Sequence, residues 1–257
     1  MQLYNIFISN LRREGIQMYR YLPNTLSELA IFYIVFLGFF LGITLVGDER
    51  TIDYNIQMVI LNYVFWFLIL TITQGIGWEI SNEAGQGTLE QLYMTPYKLW
   101  FVLLSRMIST LLINIVTITV LLYAAMLTSN QWLNIDLFSI LPILTFTLVG
   151  EFGLGYAIAG MTMILKQVDY ILQLFQFVIM GLTFVPLTIA PYLKFCPFML
   201  GLQMIRDIAI KGVALSDIPI IDLALLLCNA IIYFFLGLVL FKKCEQIAKS
   251  KGLFGHY

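Results

Sequence analysis

The sequence predicts an all-α integral membrane protein with six transmembrane helices. Of its 257 residues, 60% are hydrophobic and 11% charged, against about 45–50% and about 25% in an average soluble domain. Mean hydropathy is +0.90, so the chain lacks the polar side chains to cover a globular surface. Aromatic residues make up 15%, which excludes disorder. Apolar runs long enough for about 30 Å of hydrocarbon recur along the chain. A formal net charge of −1 argues against a nucleic-acid partner. Six spans use about 120 residues. What remains does not hold a further soluble domain of about 100–150 residues, so any energy source is expected on another polypeptide.

The elements follow in order. Residues 1–22 read as an amphipathic helix within an interfacial N-terminal region, 1–28. Leu3, Ile6, Phe7, Leu11, Met18 and Leu22 share one face, and Asn5, Ser9, Arg12, Arg13 and Arg20 the other. Such a helix suits a membrane interface or the surface of a soluble partner. Pro23 ends it, and Thr25 with Glu28 has capping-box spacing for the next helix. The first span is expected near Leu29–Val46. It starts too far into the chain for a signal peptide and is expected to stay in the mature protein. Further spans are expected near Ile56–Trp78, Leu99–Leu127, Leu137–Leu165, Tyr170–Ile189 and Ile220–Phe241. A polar stretch, 79–98, separates the second and third. The segment 190–219 is too apolar for a loop and too broken for a span. A tail, 242–257, closes the chain.

Orientation follows from the cations. With both termini cytoplasmic, ten Lys and Arg residues lie inside and four outside, and three of those four fall in the broken segment. Cys196, Cys228 and Cys244 form no Cys-x-x-Cys pair, and the one histidine, His256, lies far from them. A zinc site needs three or four ligands, so no metal or cofactor is expected on this chain.

Two segments carry mechanism. In the polar stretch, Thr88 and Gln91 have capping-box spacing, Gly87 permits a sharp bend before them, and Pro96 stops the helix. Leu89, Leu92 and Tyr93 make an apolar face, with Glu90 beside it. The result is a short surface helix held between two spans. It is either a structural turn or an element that passes force from a soluble partner. Leu89 and Leu92 are then expected to fill a groove on that partner. In the second segment, Pro186, Pro191 and Pro197 each interrupt a helix. Irregular backbone at membrane depth must be buried in protein or face water, which fits a helical hairpin that dips into the outer leaflet.

The run Glu83-Ala-Gly-Gln-Gly-Thr-Leu-Glu-Gln-Leu-Tyr-Met-Thr-Pro96 resembles the corresponding segment of ABC-2 type exporter permeases. It also sits in that family's place, between the second and third of six spans. The N-terminal amphipathic helix is similar to the family's connecting helix. Phe198 to Arg206 resembles its re-entrant helices before the last span. The resemblance implies that Gly87, Thr88, Leu89, Glu90, Gln91, Leu92 and Pro96 form a coupling helix against a nucleotide-binding subunit. It implies a second permease chain, identical or related, in a bacterial cell membrane. ATP and Mg are then held by the partner subunit, since no Gly-x4-Gly-Lys-Ser/Thr run occurs here. The function implied is multidrug or peptide efflux, or export of another amphipathic, lipid-like substrate, by alternating access. Permeases for polysaccharide or lipid-linked glycan export are the alternative, with a channel or importer subunit behind them.

Glu151, in the middle of the fourth span, is costly there without a partner or water. It either faces the translocation path or is a hydrogen-bonded packing residue. Nearby Gly150, Gly153, Gly155, Ala157, Ala159 and Gly160 predict close helix approach. With one acid at depth and no histidine in any span, the chain has no set of groups for an intramembrane enzyme.

Overall fold

The computed structural model describes residues 2–47, 50–89, 91, 94, 97–165 and 168–250. The described residues form helices and no strand. These are α1 (Gln2–Arg20), α2 (Leu22–Val46), α3 (Ile52–Gly85), α4 (Leu99–Ser129), α5 (Leu137–Ile164), α6 (Asp169–Phe184), α7 (Met199–Lys211) and α8 (Ile220–Ser250). Short 3-10 turns cover Pro191–Phe195 and Leu215–Asp217. Five helices, α2, α3, α4, α5 and α8, are long and apolar enough to cross a membrane. The chain is a multi-pass helical protein built for a bilayer.

Several boundaries differ from the expectation. Helix α2 opens at Leu22, with Pro23 in its first turn, because the fixed φ of proline is preorganised for a helix start. Thr25 and Ser27 lie inside it, their hydroxyls donating to Tyr21 O and Pro23 O. The Thr25–Glu28 spacing is therefore not a cap. Helix α3 runs 34 residues, about 51 Å, so it continues past the expected Trp78 end through the first part of the polar stretch, Glu79–Gly85. Helix α6 stops at Phe184, short of the expected Ile189. Val185 is extended, φ −82 and ψ 121, as the residue before Pro186 must be. Helix α8 continues through Lys242 to Ser250, so the described part of the tail is helical.

Helix α3 is the hub, packed by α2, α4, α5, α6 and α7. Its inner residues include Ile60, Phe67, Ile69 and Ile72, all essentially inaccessible. The closest helix pair is α5 with α8. A Cβ on Gly153 would lie 2.2 Å from Tyr233 O, and one on Gly237 would lie 1.9 Å from Gly153 O. The two backbones touch, as the small-residue seam predicts.

Helix α1 lies along α4, but its faces are not divided as expected. Arg13 turns inward with Ile6, Phe7, Leu11 and Met18. The outward face mixes Tyr4, Ile8, Ile16 and Tyr19 with Arg12 and Arg20. Arg13 faces inward because Glu79 of α3 pairs with it there.

Candidate functional site

The segment after α3 begins with a Schellman stop. Gly87 has φ +68, and its N–H donates to Ala84 O at 3.1 Å while Thr88 N–H donates to Glu83 O at 3.0 Å. These two bonds satisfy carbonyls at the helix end and need a left-handed residue, which favours glycine. The Thr88 hydroxyl also donates back to Glu83 O, at 3.2 Å. Leu89 and Gln91 are helical, and Met94 N–H donates to Gln91 O. Glu90, Leu92, Tyr93, Thr95 and Pro96 lie outside the described residues.

Leu89 corrects an expectation. It is fully buried in the chain's own core, so it anchors the segment and presents nothing to a groove elsewhere. Gln91 and Met94 face outward, with Met94 82% exposed.

Glu83 joins this segment to an ion network. Arg106 of α4 donates through one guanidinium nitrogen to Glu83 at 2.5 Å and lies 3.1 Å from Glu79. Glu79 also pairs with Arg13 of α1, which reaches Glu14 at 2.8 Å. Asn10 adds a bond to Ser105 at 2.9 Å. The side chain of Arg106 is 9% exposed, so this is a partly buried network whose members depend on one another. A cleft of about 450 Å³ opens beside it, between α1, α3 and α4. Sequence reasoning assigned Arg13 and Arg106 to the basic side and did not pair them. The available signal was Arg106 inside an apolar span, which demands a partner, with Glu79 and Glu83 one turn apart.

Glu151 is fully buried, and neither carboxylate oxygen has a hydrogen-bond partner among the described residues. Helical spacing puts it between Thr147, against Gly201 of α7, and Gly155, against Met107 and Ile72. It therefore points into the bundle interior between α7 and the α3–α4 pair. No described side chain satisfies it, which departs from a hydrogen-bonded packing residue.

The proline segment is ordered around α5 and α8. Pro186 O accepts from Ile189 and Ala190 N–H, Pro191 opens a 3-10 turn, and Pro197 packs on Gly150. Asn229 of α8 donates to Lys194 O at 2.9 Å. Helix α7 starts beside the middle of α5 and ends where Asn134 N–H donates to Ala209 O. Arg206 fixes it from within. It is 2% exposed, and it donates to Asn62 Oδ1 at 2.8 Å, Thr183 O at 2.5 Å and Gln203 Oε1 at 3.3 Å. The sequence marked Arg206 but not Asn62, the one amide of α3 that meets it.

Comparison with family models and with curated proteins finds no match for this chain.

Proposed function

We propose that this chain is the permease subunit of an ATP-driven exporter of the ABC-2 type. It pairs with a second permease chain and with nucleotide-binding subunits that hold ATP and Mg. Six crossings, α6 among them, put both termini in the cytoplasm, and the segment 190–219 forms a re-entrant hairpin in the outer leaflet. An amphipathic cargo, such as a drug, peptide or lipid-like molecule, is moved outward by alternating access.

One observation carries this reading. The segment after Gly87 is tied by two bonds to Glu83, and Glu83 is tied through Arg106 and Glu79 to α4 and α1. A push on Gln91 and Met94 would reach α3 through the main chain and these bonds, and α4 and α1 through the ion network. Glu151 suits a path that opens in another conformation, where water would solvate it.

The test replaces Leu92 or Met94 by Asp, outside the hydrocarbon. A charge forced into an apolar contact costs about 2–5 kcal/mol, which weakens association by tens to thousands of times. Co-purification of the nucleotide-binding subunit should fall accordingly, with normal insertion of the permease. Equal recovery and equal ATPase stimulation would overturn the coupling role.

A further inference from the structure

A second polar feature lies at the same end of the bundle, away from the Glu79–Arg106 network. The start of α4 and the end of α8 enclose a groove of about 390 Å³ lined by Tyr97, Lys98, Trp100, Lys242, Glu245 and Lys249. On α8, residues 242, 245 and 249 recur at helical spacing, so one face of that helix looks into the groove. Glu245 pairs with Lys249 at 2.7 Å. Three lysines against one acid leave the groove with two net positive charges. The N-cap of α4, Lys98, makes no side-chain cap, so the first-turn N–H groups of a 31-residue helix add positive potential at the same place.

The depth of the groove is set by its neighbours. Phe241 is fully buried and is the last residue of the apolar run of α8, and Lys242 follows it directly. Trp100 and Tyr97 stand at the start of α4, as aromatic residues do at a bilayer interface. Lys98 and Lys242 therefore sit at headgroup level, beside the acyl region, with Lys249 about 10 Å further out.

We propose that this groove binds the headgroup of an anionic phospholipid from the leaflet at that end. The phosphate would sit between Lys98, Lys242 and the start of α4, with the acyl chains running along the α4–α8 surface. Basic pockets between transmembrane helices at this level are a known way to hold such headgroups, and each lysine near the surface contributes about fivefold in affinity. The proposal depends on the bilayer assignment alone, not on the exporter reading.

The experiment uses the full chain in detergent, titrated with phosphatidylglycerol or phosphatidylcholine and read by native mass spectrometry. Wild type should retain phosphatidylglycerol preferentially. Lys98→Gln and Lys242→Gln should each lower that retention about fivefold, while Lys243→Gln, an equal charge change off the groove lining, should leave it unchanged. Glu245→Gln should raise it. Matching thermal transitions in phosphatidylcholine verify that each variant is folded. Equal losses in all three lysine variants would mean a diffuse charge effect and overturn the site. So would a wild type without preference, or inorganic phosphate competing as well as the lipid does. Loss of ATPase co-purification in Lys98→Gln and Lys242→Gln, with lipid retention intact, would give the groove to a protein partner instead.

Discussion

Helices α2 and α3 are neighbours in sequence and in space, yet they use their apolar side chains in opposite ways. The most apolar stretch of α2 has mean hydropathy 2.6 and is 6% buried, whereas that of α3 has 1.9 and is 83% buried. In water the more apolar helix would be the inner one. In a bilayer, lipid tails are as apolar as leucine, so hydropathy no longer selects the interior. What selects it is packing and polar pairing. Helix α3 offers Asn62 to Arg206, Gln74 to Leu172 O at 2.6 Å, and Glu79 and Glu83 to Arg106. Helix α2 offers its neighbours mostly rings, with Phe32 edge-on to Trp66 and Phe67 and Phe36 against Tyr63.

The contrast can be broken most forcefully at Asn62. Asn62→Leu strips the buried Arg206 guanidinium of one acceptor, and losing a hydrogen bond to a buried charge costs about 3 kcal/mol, the upper end for such bonds. Reversible unfolding in mixed micelles should show that loss, and a change below about 1 kcal/mol would remove polar pairing as the reason for the position of α3. Ile69→Ala, at a fully buried site on α3, should cost about 2–3 kcal/mol. That is the low end for such truncations, because the unfolded chain is already surrounded by lipid. Ile34→Ala on α2, at a 61–65% exposed pair with Ile31, should move the same transition by less than about 0.5 kcal/mol. A larger effect that grows with protein concentration would sharpen the contrast, since it would show that a second copy covers α2.

Five of the expected spans were legible because about 20 consecutive apolar residues admit few other readings in a chain this poor in charge, whereas the expected Tyr170–Ile189 span is a helix of 16 residues. The glycine seam of α5 was legible for a related reason, since small residues at helical spacing have one obvious use. Polar ends were harder. Glu79 to Gly85 reads as part of a polar stretch beyond the span because hydropathy falls there, yet the helix persists until Gly87 supplies the left-handed residue that stops it. Arg13 was placed on the polar face because a single helix cannot reveal that Glu79, shared with Arg106, reaches it from another helix. Asn62 and Arg206 are 144 residues apart, and no local pattern connects them. In the segment after Gly87, the spacing marked a short helix but not that Leu89 turns inward.

The length of α3 has a mechanical consequence. Its attachment to Arg206 at Asn62 lies 10 residues from the start of the helix and 23 from its end at Gly85. At about 1.5 Å per residue, these are arms of about 15 and 35 Å. A helix that rocks about that fulcrum multiplies a displacement at its Ile52 end by about two at Glu79 and Glu83. A shift of about 1 Å at Ile52 then arrives as about 2 Å at Glu83, beside Arg106, comparable to the margin within which a charged hydrogen bond is made or lost.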